Sequence, residues 1–234
     1  NFSEISIELV EEVRDELNKT VGQVDEKVME DVGDILSDID HNVRKINEHG
    51  KRADSIVKGM LLHSRGKPGE KQKTNLNDLL AEYLNLAYHG FRAQDSSFNV
   101  KMETNYDKTI EPINVVPQNI SRVFLNIFNN ACYSVNEKSK EKKDSYNPIL
   151  SVTTKNLGEK IEIRIKDNGK GIPQEILDKV FNPFFTTKPA GKGTGLGLSL
   201  SYDIVVQEHG GDMKVDSAVG EYAEFIITIP KVFG

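Results

Sequence analysis

The 234-residue chain has a single cysteine, Cys132, no proline before Pro68, no long apolar run and no block of basic residues. One cysteine excludes an internal disulfide framework and fits a reducing compartment. No stretch approaches the roughly 18 apolar residues that a membrane span requires, and the first residues show no secretory-leader pattern. The formal net charge of −6 leaves no electrostatic footprint for nucleic acid. These absences predict a cytoplasmic chain that contacts neither nucleic acid nor membrane. With 37% hydrophobic and 28% charged residues, the composition is that of a folded globular protein.

The proline-free first third is patterned for helices. Val28, Val32, Ile35, Ile39, Asn42, Ile46, His49, Ala53, Ile56, Met60 and His63 recur in alternating steps of four and three, a coiled-coil seam with charges between. The spacing predicts a helix over residues 26–65, ending near Gly66 and Pro68. Ile5, Leu9, Val13 and Leu17 mark a shorter amphipathic helix before it, with a turn near residues 18–24. A helix of roughly 40 residues is about 60 Å long, and its partner of about 18 residues only about 27 Å. An antiparallel hairpin of the two therefore leaves half of the long stripe bare. Dimerisation, an offset of the helices or a missing N-terminal stretch of helix would each account for this; truncation together with dimerisation is the preferred reading.

Beyond a polar linker at residues 66–74, the pattern changes to a mixture of helix and strand. Leu76, Leu79, Leu80, Tyr83, Leu84 and Leu86 predict a helix, and residues 117–136 another. Residues 98–103, 114–116, 149–154, 160–166 and 225–229 read as strands, and 137–144 as a solvated lysine-rich loop. The expected fold class is α+β, a two-layer α/β sandwich with a mixed sheet and helices on one face, preceded by the helical hairpin. The expected organisation is a hairpin over residues 1–66, a linker over 67–73 and a catalytic domain over 74–234.

Four motifs carry chemistry. In RVFLNIFNNACYSV, residues 122–135, Asn126 and Asn130 project from one helix face. Amide oxygens suit a hard Mg²⁺ ion that also keeps waters and phosphate oxygens, although two surface asparagines on an amphipathic helix are the plainer alternative. In DNGKGIP, residues 167–173, Asp167 ends a strand, and Gly169 and Gly171 before Ile172 permit a tight turn and close approach of a flat ring. In FNPFFTTKP, residues 181–189, Phe181, Phe184 and Phe185 anchor a lid whose root holds Thr186, Thr187 and Lys188. In GKGTGLGLSLSYDIV, residues 191–205, Gly193, Thr194, Gly195, Leu196, Gly197 and Leu198 run into an apolar helix, so backbone N–H groups can face phosphates. A dinucleotide fingerprint is rejected because no strand precedes these glycines, and a Walker loop because no GK[ST] follows them.

In this order and spacing, the motifs resemble the ATP-binding domain of sensor histidine kinases and its GHKL superfamily, shared with type II topoisomerases, a heat-shock chaperone and mismatch-repair ATPases. The resemblance covers about residues 74–230. It implies that Asp167 receives the adenine amine, that Asn130 coordinates Mg²⁺, that Asn126 lies near the phosphates and that Lys188 contacts the γ-phosphate. Gly169, Gly171, Ile172, Phe185, Thr187 and the stretch from Gly193 to Leu198 would complete the ATP pocket. Tyr133 stands near where many family members carry a phosphate-binding lysine.

Superfamily hydrolases carry a glutamate, the general base for water, where this chain has Asn126. An amide cannot take that proton, so the resemblance implies an ATP:protein-histidine kinase, with an ATP hydrolase or a nucleotide-binding pseudokinase as alternatives. It further implies a homodimer through the hairpin and a response regulator receiver domain as partner. None of the five histidines (41, 49, 63, 89 and 209) is followed by an acidic residue, as most acceptors are. NFSEIS, NEHGKRADSIVKGMLLHSR and LNDLLAEYLNLAYHGFRAQD resemble one branch of sensor kinases, whose HE-x-x-NPL acceptor motif lies about three helical turns upstream of Asn1. The expectation is a fragment that cannot phosphorylate itself.

Overall fold

The computed structural model describes residues 2–19, 26–64, 69–142, 145–189 and 193–231. Two compact units form, Arg65–Phe185 with Gly195–Gly234 and Asn1–Ser64 with Thr186–Thr194.

In the smaller unit, helices α1 (Phe2–Asn18) and α2 (Glu26–Ser64) contact each other. Their helical spans agree with the periodicity. Their contact hides little: Val10 and Leu36 are buried, while Ile35 and Ile46 of the seam are 59% and 64% exposed. Arg44 holds Asp40 one turn away at 2.8 Å and reaches Glu11 of α1 at 3.4 Å, exposed pairs that add little stability. Of the turn expected near residues 18–24, residues 20–24 lie outside the described residues, as do the side chains of Ala53, Ile56, Met60 and His63.

The larger unit is the α+β sandwich that the strand and helix signals predict. Its elements are β1 (Gln72–Thr74), α3 (Leu76–Gln94), β2 (Lys101–Asn105), β3 (Ile113–Val115), α4 (Pro117–Lys142), β4 (Ile149–Asn156), β5 (Lys160–Asp167), α5 (Gln174–Leu177), α6 (Gly197–Asp203), β6 (Asp212–Ala218) and β7 (Tyr222–Pro230). A five-stranded sheet runs in the order β2-β4-β5-β7-β6, with β2 parallel to β4 and the other neighbours antiparallel. Strand alternation decides which face is covered: Ile161, Ile163 and Ile165 of β5 are buried under the helices. Glu162, Arg164 and Lys166 point to the other face, where Arg164 pairs with Glu162 and with Glu224 of β7. Asn75 caps α3 by accepting from the N–H groups of Asn77 and Asp78.

The structure corrects the expected elements at four places. Residues 137–142 are helical: Glu, Lys and Ser continue α4 with no glycine or proline to stop it, and Glu137 pairs with Lys140 at 3.0 Å. Part of the expected linker forms β1, which pairs with β3. β2 begins at Lys101, because Phe98 packs in the core ahead of the strand. β6, absent from the expected strands, is an edge strand bearing Asp212, Lys214 and Asp216.

α6 continues into a π-helical turn, Ile204–Glu208, closed by the fully buried His209. Its Nδ1–H donates to the Ile204 carbonyl at 2.7 Å, and its Nε2 accepts from the Val116 N–H at 3.1 Å. The ring thus ties the end of α6 to the start of α4, and burial lowers its pKa.

Phe128, fully buried beside Phe124, packs α4 onto this core. Phe128→Ala should lower the unfolding free energy by about 3–5 kcal/mol, read as an earlier urea midpoint with an unchanged slope.

Candidate functional site

The sandwich carries the first two motifs whole, together with residues 181–185 of the third and 195–205 of the fourth. α4 supplies the first. Its buried face carries Phe124, Ile127 and Phe128, which turns Asn126, Asn130 and Tyr133 to a half-buried side. Asn126 is a brace: its Nδ2 donates to the Gly197 carbonyl at 3.1 Å and to Ser201 Oγ at 3.3 Å, joining α4 to the first turn of α6.

Asp167 is the last residue of β5 and only 3% exposed. Its Oδ1 accepts from the Gly169 N–H at 2.8 Å, which folds the chain back on the carboxylate. Burial raises its pKa to about 6, against the opposing effects of the Gly169 N–H, the Ser134 hydroxyl and the Lys138 charge. Cys132, buried nearby, is pushed up to about 12 by burial and by the Asp167 charge, so its thiol is inert.

The loop after Asp167 is clamped from two sides. A Cβ on Gly169 would strike Ser134 of α4, and Ser134 Oγ accepts from the Lys170 N–H at 3.0 Å. Gly171, at φ 68°, lies so close to the Ala218 carbonyl that no side chain fits. The Ile172 N–H donates to Ser217 Oγ at 2.7 Å, Ser217 donates on to the Tyr222 carbonyl, and the Gly220 N–H reaches the Lys170 carbonyl. Ile172 itself packs on the core.

The last glycine stretch and the phenylalanine motif meet at one point. Gly195, at φ 69°, abuts the backbone of Phe184, which has a positive φ of 67°. Phe181 stacks on Tyr202 at 5.3 Å, Phe185 is half-buried, and Leu198 packs against the core behind Gly197. Leu196 precedes α6 and accepts from Ser199 through its carbonyl.

Thr187, Lys188, Gly193 and Thr194 belong to the segment grouped with the helices. Within it, the Lys188 N–H donates to Thr186 Oγ1 at 3.2 Å, and a Cβ on Gly193 would come within 2.7 Å of that same oxygen. The two ends of this loop therefore lie together. Burial lowers the pKa of Lys188.

Among the described residues, no group of three His, Cys, Asp or Glu side chains could hold a metal. A Mg²⁺ ion that keeps its waters and phosphate oxygens needs only one or two protein oxygens, and the half-buried amide of Asn130 fits that demand. Ser134, Lys138, Tyr146, Asn168 and Ser217 belong to the site although none was singled out in the sequence. Ser134 and Asn168 lay within recognisable motifs, at residues 122–135 and 167–173, and the other three did not.

Residues 115–232 match the family described as histidine kinase-, DNA gyrase B-, and HSP90-like ATPase. Sensor histidine kinase ZraS of Salmonella typhimurium (strain LT2) is 33% identical over 163 residues, 69% of this chain and 31% of that protein. Sporulation kinase D of Bacillus subtilis (strain 168) is 35% identical over 189 residues, 79% of this chain and 34% of that one. The catalytic domain of histidine kinase ThkA superposes with a TM-score of 0.56 at 30% identity, covering 69% of this chain and 96% of that domain. The chain thus spans about a third of the length of these two curated relatives.

A buried carboxylate with a raised pKa weighs on the free fold. Its cost is absent below pH 3.8, where both folded and unfolded forms are protonated, and grows until about pH 6. That interval corresponds to about 3 kcal/mol. Asp167→Asn should therefore be more stable than the parent at pH 7, with the gain vanishing near pH 4 in urea titrations.

Proposed function

We propose, for a chain that belongs to the histidine kinase-, DNA gyrase B-, and HSP90-like ATPase family and carries the ATP-binding catalytic domain of its sensor histidine kinases, that the whole protein transfers the ATP γ-phosphate to a histidine for relay to a response regulator. The observation that carries this reading is the buried Asp167 carboxylate, held at a strand end above a glycine turn. A carboxylate kept there at a cost to the free protein is suited to accept the adenine amine, which guanine lacks at that position.

Gly169 and Gly171 give the base its close approach, and Ile172 an apolar surface. Asn130 offers its amide oxygen to Mg²⁺, which when bound neutralises phosphate charge. Lys188, with Thr187 and Thr194, contacts the terminal phosphate from the lid, and Gly193 to Leu198 line the phosphates with backbone. Tyr133 and Phe185 border the nucleotide. Asn126 positions the phosphates through α6, whose first turn it holds. As an amide it cannot deprotonate water, which supports kinase over hydrolase chemistry. A nucleotide-binding pseudokinase would bind ATP equally and differ only in transferring nothing.

His209 is excluded as the acceptor by its burial and its two ring bonds. The exposed seam of α2 supports pairing with a second copy into a helical bundle, with hairpin, linker and catalytic domain at residues 1–66, 67–73 and 74–234. Described helices long and apolar enough to cross a membrane are absent, in keeping with work in the cytoplasm.

Calorimetric titration of ATP tests the site. Asp167→Asn should weaken binding by about 1.5–3 kcal/mol, the worth of a charge-assisted hydrogen bond. In the parent, affinity should fall about tenfold per pH unit below about pH 6, where Asp167 takes up a proton. Unchanged affinity in the variant would remove the adenine assignment. Asn130→Ala should bind ATP as the parent does without Mg²⁺ and lose the tightening that Mg²⁺ brings.

A further inference from the structure

Resting on the nucleotide reading above, we propose that Lys138, Tyr146 and Asn168 form a latch behind the base site, and that they act as positioning residues for Asp167. Asn168 is where the chain leaves the sheet. Asp167 still pairs with Leu150 of β4. The Asn168 N–H continues that ladder to the Ile149 carbonyl at 3.2 Å.

The Asn168 side chain then replaces the strand that the backbone abandons. Its Oδ1 accepts from the Ile149 N–H at 2.8 Å and from the Tyr146 hydroxyl at 2.7 Å, and its Nδ2 donates to the Asn147 carbonyl at 2.8 Å. The amide copies the donor and acceptor of a peptide group, so the main chain can turn into Gly169 without stripping partners from β4.

The Asn168 carbonyl is held as well. Lys138 Nζ donates to it at 2.5 Å and the Tyr146 hydroxyl at 3.0 Å, while the Lys138 ammonium sits 4.7 Å from the Tyr146 ring centroid. Lys138 comes from the last turns of α4, and Tyr146 from the segment entering β4. The peptide next to the carboxylate is thereby fixed from the side opposite the glycine loop.

Lys138 also acts through charge. Its ammonium favours the ionised form of Asp167, as do the Gly169 N–H and the Ser134 hydroxyl. The Asp167 charge also raises the pKa of Cys132 of α4 and of Tyr146, both neutral at pH 7, whereas Lys138 meets it as a cation. Burial lowers the pKa of Lys138, and besides Asp167 its ammonium feels Lys142, which opposes its charge, and Glu221 of the β6–β7 turn, which favours it.

The experiment is ATP and GTP titration by calorimetry from pH 5 to 8 with the 234-residue chain, Lys138→Met, Lys138→Arg and Tyr146→Phe, each checked by thermal melting. Lys138→Met should weaken ATP about tenfold at pH 7 and move the acid midpoint of binding upward, and Lys138→Arg should restore both. Tyr146→Phe should weaken ATP about fivefold, narrowing the preference for ATP over GTP, and leave the pH midpoint in place. A merely structural loss would weaken both nucleotides alike and leave every midpoint unmoved; that result, or variants that bind as the parent does, overturns the latch while sparing the nucleotide site. A parent that binds no ATP overturns both readings.

Discussion

Burying the carboxylate of Asp167 at the end of the central strand is the constraint to which the rest of the sandwich answers. A charge in that place needs hydrogen bonds, and the chain supplies them from what is local: the Gly169 N–H two residues on, and Ser134 from the helix above. The first requires a turn that only glycine makes closely, and the second requires α4 to run directly over the strand end. The β6–β7 hairpin then closes the far side of the loop through Ser217 and Gly220. Stability of the free fold and the proposed role in binding adenine thus pull in opposite directions at one side chain. Such a conflict is the mark of a site kept for a ligand.

α4 mediates between core and site. One face is sealed by Phe124, Ile127 and Phe128, and the other presents a line from Asn126 through Asn130 and Ser134 to Lys138, each one turn further along. A single rigid element therefore sets the spacing from the phosphate end to the base end. The chemistry follows from the first member of that line. An amide at Asn126, already donating to Gly197 and Ser201, organises the phosphate-facing turn but offers no base for water. That lack of a base supports the proposed phosphoryl transfer over hydrolysis.

Features that repeat along the chain were legible in the sequence: the heptad steps of α2, the alternation of Ile161, Ile163 and Ile165, and the glycine spacings at 169–171 and 193–197. Features made by long-range contact were not. β6 carries Asp212, Lys214 and Asp216 on an edge, so its apolar signal rests on Met213 and Val215 alone. Residues 137–142 looked like a loop because lysine-rich segments are polar everywhere, though lysine and glutamate are good helix formers. Ser217 and Tyr146 gain their roles from partners 45 and 22 residues away, a distance at which no local pattern speaks.

Asp167 and His209, both buried in the sandwich, oppose each other. Asp167 has a raised pKa, so the destabilisation from its charge is relieved as pH falls from about 6 towards 3.8. His209 has a lowered pKa and is bonded as a neutral ring at both nitrogens, so its contribution is complete above about pH 6.5 and is lost as pH falls below that value. In mild acid the two effects have opposite signs. On the proposed reading nucleotide affinity has no such offset, because the adenine amine would need the ionised form of Asp167 alone. On that reading mild acid weakens nucleotide binding directly through Asp167, while His209 acts elsewhere, tying the end of α6 to the start of α4.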